Sequence, residues 1–271
     1  MVLSINTNTP AALALEQLNN TNAQLNQTQL AISTGLKVNG PKDDPSAYAI
    51  AQNLRGQIAG TQAVGIALST GGSAVNVAIS AGQSIADLLT QAKAKIVQAN
   101  QNGLDPVSRT ALHNDFVALR EQIDTIVSTA SFNGTNLIDS GATSLSVLST
   151  VDGSTITVSA QGLTTSALSI SSADLTTSAG ALSALTAINS AITEVSNALA
   201  ALGASAEQID LQSSFATKLV DILSAGVGDL VDADMASESA QLQSLQVKQQ
   251  LGVQALSIAN QSPQAILALF R

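Results

Sequence analysis

The sequence predicts a mainly α fold: an elongated antiparallel helical rod with a terminal two-helix coiled coil and a small β-hairpin. Three observations carry this reading. Apolar residues return at alternating steps of three and four along most of the 271 residues, the spacing that keeps them on one face of a helix. Both ends of the chain hold such stripes, where chain ends ordinarily carry polar residues and fray. Between the helical stretches lies one segment, 145–160, of Ser, Thr and Val around Asp152 and Gly153. Asp-Gly between β-branched runs is a strong hairpin signal.

Taken in order, the first element is set by Ala11, Leu18, Leu25 and Ile32, seven residues apart, with Ala14, Thr21 and Thr28 between them. That spacing places one stripe on one side of a helix and asks for a second helix against it. Four of the five prolines follow a capping residue, as Thr9-Pro10, Asp44-Pro45, Asp105-Pro106 and Ser262-Pro263. The capping oxygen holds a free amide, and Pro at the first helical position has no bond to lose. From Pro45 one seam runs Ala47, Ile50, Leu54, Gln57, Thr61, Val64, Leu68, Gly71, Val75 and Ala78, and on through Gly82, Ile85, Leu89, Ala92 and Ile96. Gly71, Gly72 and Gly82 each weaken that helix by about 1 kcal/mol relative to Ala, while letting a neighbour approach closely. The rhythm returns in Leu112, Phe116, Leu119, Ile123, Ile126 and Ala130, and again in Leu185, Ile188, Ile192, Val195, Leu199 and Leu202. Gly203 marks the expected break before a weaker seam of Ile209, Ala216, Leu219, Leu223 and Leu230. The Ser/Thr-rich stretch 164–178 reads as loop or short strand. The closing helix takes in Leu242, Leu245 and Leu256 and finishes Ile266-Leu267-Ala268-Leu269-Phe270-Arg271. Long helices in series pack antiparallel. The two sticky ends imply self-assembly, with Leu18, Leu25, Ile32, Leu242, Leu245, Leu256, Ile266, Leu269 and Phe270 as the residues expected to carry it.

Composition narrows the function classes. Hydrophobic residues make up 45% of the chain but aromatics only 2%, and charged residues 11%. Polar faces built of Gln, Asn, Ser and Thr are cheaper to bury at an interface than ions, provided they find hydrogen bonds. The net charge of −9, with 10 Lys and Arg spread over the chain, argues against nucleic acid as a partner, because phosphate binding needs a basic patch. The absence of cysteine removes disulfides, thiolate catalysis and Cys-ligated metals and suits life outside the cell. Residues 1–10 show no basic and apolar signal pattern, so export is expected to use a route without a cleaved signal peptide. The longest uncharged stretch, 56–86, is interrupted throughout by polar residues, and no membrane insertion is expected.

Candidate chemistry is sparse. The lone His113 reads as a surface or edge residue with no metal-ligand spacing around it. Gly71-Gly72 lacks the Lys of a phosphate loop, as that motif requires. Lys42-Asp43-Asp44 reads as a turn and helix start, with acids at the positive end of the dipole. Asp229, Asp232 and Asp234 lack the Gly and terminal Glu of a calcium loop and are expected to precede the last helix. No enzyme activity, cofactor, catalytic residue or metal ligand is expected.

Several motifs carry a family resemblance. Ile32-Ser33-Thr34-Gly35-Leu36-Lys37-Val38-Asn39, followed by Lys42-Asp43-Asp44-Pro45 and Ala49-Ile50-Ala51, resembles the N-terminal signature of bacterial flagellins. Phe132-Asn133-Gly134-Thr135-Asn136-Leu137 and Asp152-Gly153-Ser154-Thr155-Ile156-Thr157 are similar to that family's central segments. Ala259-Asn260-Gln261-Ser262-Pro263-Gln264 and the final Ile266 to Arg271 resemble its C-terminal ending. The resemblance spans almost the whole chain and is closest to short alphaproteobacterial flagellins. It implies a subunit that polymerises with itself, as a helical homopolymer or a mixed flagellin filament, in the extracellular flagellum. An inner coiled-coil domain of 1–43 and 232–271 and a rod of 44–231 are implied, with only 161–180 where larger relatives insert outer domains. End helices largely disordered before assembly are also implied. So are dealings with the flagellar export apparatus, a flagellin chaperone, and the filament cap and hook-junction proteins. Two alternatives stay open on the sequence: a hook–filament junction protein, and a soluble coiled-coil scaffold or signalling protein.

Overall fold

A computed structural model describes the backbone of residues 7–269 and the side chains of residues 7–261. In chain order the elements are α1 (Thr9–Thr34), α2 (Pro45–Ala99), α3 (Pro106–Thr129), β1 (Ser131–Phe132), β2 (Thr135–Asn136), β3 (Leu145–Leu148), β4 (Thr155–Val158), α4 (Ser178–Val231) and α5 (Met235–Leu269). The fold is mainly α. The chain divides into two compact units, one of Met1–Gly56 with Ile222–Arg271 and the other of Gln57–Asp221.

Caps explain where the helices begin. Asp44 accepts from the amides of Ser46 and Ala47, both at 2.9 Å, and starts α2. Asp105 starts α3 by accepting from Val107 at 2.8 Å and Ser108 at 2.9 Å. Two expectations are corrected. The cap of α1 is Asn8, whose Oδ1 accepts from the Ala11 amide at 3.2 Å; Thr9 is already helical. Ser262-Pro263 opens no new helix, because α5 runs through it to Leu269. A proline inside a helix leaves the carbonyl four residues earlier without its amide partner. That carbonyl is Ala259, and it accepts instead from the Asn8 side-chain amide at 2.8 Å.

The unit of 57–221 holds the main core. From Thr61 to Ile96 every seam position the periodicity predicts is buried, with Ala74 added beside Val75. They meet Phe116 and Ile123 of α3, Val147 and Ile156 of the hairpin, and Ile188, Val195 and Leu202 of α4. Within α4 the seam departs from expectation. Ala181, Ala184, Ala191 and Ala198 are buried, while Leu185, Ile192 and Leu199 are only half-buried. Small side chains let the helices approach closely, and the larger ones straddle the contact. Gly203 breaks nothing: α4 is one helix of 54 residues. An 18-residue window of α2 is long and apolar enough to cross a membrane, with mean hydropathy 1.4 and 39% of it buried. Its buried positions belong to this core.

The hairpin forms within the expected segment: Leu145 pairs with Val158 and Leu148 with Thr155, which leaves 149–154 as a six-residue loop around Asp152-Gly153. Ser149 ties it by donating from both N–H (2.8 Å) and Oγ (2.9 Å) to the Ser154 carbonyl. Val147 seats its methyls against Gly71, where an added Cβ would lie 2.7 Å from Cγ1 and closer still to Cγ2. A second hairpin, β1–β2, turns on Asn133 (φ 48°) and Gly134 (φ 78°), a turn type that Asn-Gly favours.

The stretch 161–177 is loop, as expected, and it is well packed. Leu163, Leu168, Ile170 and Leu175 are buried, and α3 holds the segment from outside. Asp124 accepts from the Thr165 amide at 2.9 Å and hydroxyl at 2.7 Å. Arg120 donates to the carbonyls of Ile170 and Ser171. His113, half-buried, accepts through Nδ1 from the Leu175 amide at 3.2 Å.

Candidate assembly surface

The unit of 1–56 and 222–271 joins the two chain ends. Helix α1 stops at Gly35, whose left-handed backbone (φ 74°) lets its amide bond back to Ala31 at 2.8 Å. The chain then crosses the α4–α5 junction. Lys37 N–H donates to the Val231 carbonyl at 2.8 Å, Ala233 N–H to the Gly35 carbonyl at 2.8 Å, and Lys37 Nζ to the Asp229 carbonyl at 2.9 Å. Val38, Ala51 and Val231 form a small core beneath. This packing shifts the start of the α2 seam: Ala51 is buried and Ile58 half-buried, whereas Ile50 and Gln57 face outward, contrary to expectation. Asp43 accepts from the amides of Asn39 (3.0 Å) and Gly40 (3.1 Å). The stretch that looked like a signature is therefore a staple between two helix ends. Asp234 caps α5 through Ala236 (3.0 Å) and Ser237 (3.3 Å). Asp229 lies within α4 and Asp232 in a bridge to Leu36.

Helices α1 and α5 pair antiparallel. The Asn8–Ala259 bond, the contact of Leu18 with Gly252, and a 2.7 Å bond from Gln249 Nε2 to Asn22 Oδ1 occur in that descending order along α5. Thr21, Leu25, Thr28 and Ala31 are buried on α1 and Leu245 on α5. Leu18, Ile32, Leu242 and Leu256 are half-buried along the same two seams. Six of the expected assembly residues, Leu18, Leu25, Ile32, Leu242, Leu245 and Leu256, thus lie on the seam stripes of this helix pair. The side chains of Ile266 and Leu269, and all of Phe270, lie outside the described residues.

The faces turned away from the seam were not anticipated. Val247 is 55% exposed, Leu251 58% and Ile258 69%, and Leu13, Leu15, Leu30 and Val253 are exposed as well. Their signal was in the sequence: apolar residues outside the heptad stripe on helices whose ionisable groups in 9–34 and 235–269 are Glu16, Glu238 and Lys248. Such a surface loses little by desolvation and gains by covering apolar area. Among the described residues no group of three or more His, Cys, Asp or Glu could hold a metal. What this surface can do is bind another apolar surface.

Comparison with known proteins gives the chain its relatives. Residues 5–143 match the bacterial flagellin N-terminal helical region and residues 185–270 the C-terminal helical region. The chain is 47% identical over 269 residues to flagellin FljM of Caulobacter vibrioides, covering 99% of this chain and 98% of that one. It is 38% identical over 281 residues to a flagellin of Brucella melitensis, covering 99% of each. A structure from Vibrio parahaemolyticus, described as a flagellar hook-associated protein, covers 70% of this chain and all of its own with a TM-score of 0.58. At 14% identity that likeness concerns the fold alone.

Proposed function

This chain belongs to the bacterial flagellin family and is a structural subunit of the extracellular flagellar filament, and from that premise we propose how its copies hold together. The seam residues Leu18, Leu25, Ile32, Leu242, Leu245 and Leu256 shape the α1·α5 pair. The outward faces carrying Leu13, Leu30, Val247, Leu251 and Ile258 dock on neighbouring copies. Ile266, Leu269 and Phe270 extend the same role to the end of the chain. The observation that carries this is the exposed apolar face on two nearly uncharged helices. Residues 1–43 and 232–271 form the inner part of the filament and 44–231 the rod around it, in a homopolymer or a mixed flagellin filament.

Assembly and ordering are coupled. Few seam side chains are fully buried in the single chain, so neighbouring copies supply the rest of the burial that ordering two helices demands. Before assembly, faces this apolar need covering, which supports a chaperone on the C-terminal helix. Passage through the flagellar export apparatus without a cleaved signal, and contacts with the filament cap and hook-junction proteins, complete the reading. The role is structural and no catalytic one is proposed. The junction and scaffold alternatives are not favoured, because the relatives matched along their full length are flagellins.

The test is electron microscopy of purified protein added to short filament seeds. The parent chain extends them into long tubes of uniform width. A Leu251→Glu, Ile258→Glu variant, with the thermal unfolding of its main core unchanged, does not. Parent protein that stays monomeric or closes into small oligomers would overturn the reading, and so would the variant growing as the parent does.

A further inference from the structure

We infer that Asn8 and the Asn22–Gln249 pair, with Leu18 seated over Gly252, fix the register in which α1 pairs with α5. The inference deepens the assembly reading and rests on it only for its consequence, since register is a property of the single chain.

Apolar contact alone discriminates registers weakly here. Leu18, Leu25 and Ile32 repeat at sevens on α1, so a seven-residue slip brings Leu18 or Ile32 to Leu245 in place of Leu25 and keeps an apolar pair there. The polar groups do not repeat in that way. Pro263 leaves the Ala259 carbonyl without a helical donor, giving this stretch of α5 one orphaned acceptor. Asn8 supplies the donor at 2.8 Å, while its Oδ1 is held by the Ala11 amide at 3.2 Å. Gln249 Nε2 donates to Asn22 Oδ1 at 2.7 Å in a half-buried setting. After a slip of seven, Asn22 would face Leu242 or Leu256 and lose that partner. An unpaired half-buried amide is penalised more than a formed pair is rewarded, which is how a polar seam residue selects register at some cost in stability. Leu18 adds a steric term: a Cβ on Gly252 would already lie 3.2 Å from Leu18 Cδ1, and a slip would present Leu245 or Ala259 instead.

The chain has no cysteine, so two introduced ones report only on each other. Thr28→Cys with Leu242→Cys reads the native register, and Thr28→Cys with Met235→Cys reads a slip of one heptad. Both pairs are oxidised in soluble protein and in seeded filaments. In the parent background the native crosslink exceeds the slipped one by about tenfold or more, the discrimination expected of one lost polar pair. In an Asn8→Ala, Asn22→Leu, Gln249→Leu background that ratio falls severalfold toward parity. Should that variant lose its helical content, Pro263→Ala decides. It returns a donor to the Ala259 carbonyl and lowers the ratio by a smaller factor. An undiminished ratio in the folded triple variant, or in Pro263→Ala where that variant decides, overturns the inference. So does the absence of the native crosslink in the parent. Failure of the parent to extend seeds would instead sink the assembly reading and leave the crosslink ratio to judge register alone.

Discussion

Asp105 does more than begin a helix. Its carboxylate accepts from the Ser108 hydroxyl at 2.6 Å and from the amides of Ser108 and Val107. The Ser108 hydroxyl and then its amide hold the carboxyl below the ordinary 3.8. A folded value that is depressed means stabilisation present above the unfolded value and lost as pH falls through the folded one. Asp105→Ala therefore lowers Tm near neutral pH, and the gap to the parent closes as acid takes the solution below 3.8; a gap constant through that range would contradict the assignment. Gly71 offers a second single-residue test. A methyl there would overlap Val147. Overpacking costs about 1–3 kcal/mol, against about 1 kcal/mol of helix propensity gained. Chemical denaturation of Gly71→Ala should show net destabilisation, relieved when Val147→Ala is added. Arg109 belongs at this scale too. It is only 7% exposed and donates to the Ala99 carbonyl at 2.6 Å, at the end of α2. Nothing in its neighbours' spacing announced that burial, because the partner is a backbone carbonyl with no side-chain signature.

Elements whose ends are set by a local side chain were legible in the sequence, and those set by distant packing were not. Asp44-Pro45 and Asp105-Pro106 mark the starts of α2 and α3 because cap and proline act within one turn. The α4 seam departs from the pattern of its large residues because close helix approach selects the alanines between them. Gly203 passed unnoticed by the fold because a helix held by its neighbours tolerates one glycine. Ser262-Pro263 looked like a start because the residue that compensates the proline, Asn8, lies 251 positions away. That 164–178 is loop was legible in its Ser and Thr residues, but its order was not, because that comes from α3. Asp124→Ala would leave the Thr165 amide and hydroxyl without that partner, a loss of about 1–3 kcal/mol. Hydrogen exchange should then rise across 161–177 and stay unchanged in α1. Protection retained in that segment would show that its buried leucines suffice.

Assembly at the scale of the whole molecule was legible from the uncharged ends, whereas which faces point outward needed the structure. The seam leucines and the exposed ones are the same residue types, and only the pairing of α1 with α5 tells them apart. With so few ionisable groups on these helices, the concentration of free subunit left beside filaments should vary little between low and high salt. Exposed ion pairs, being screened, would make it climb steeply. On the long helices Thr70, Ser73, Ser80 and Ser84 of α2 donate to the carbonyls four residues earlier at 2.9–3.0 Å, and Thr193 (3.0 Å) and Ser196 (2.7 Å) do the same on α4. Hydroxyl protons committed inside the helix do not have to be taken from water when a neighbour arrives. What leaves such a surface is loosely held solvent, and the drive to associate then weakens on cooling. Chilling, more than dilution into brine, is what should loosen this filament.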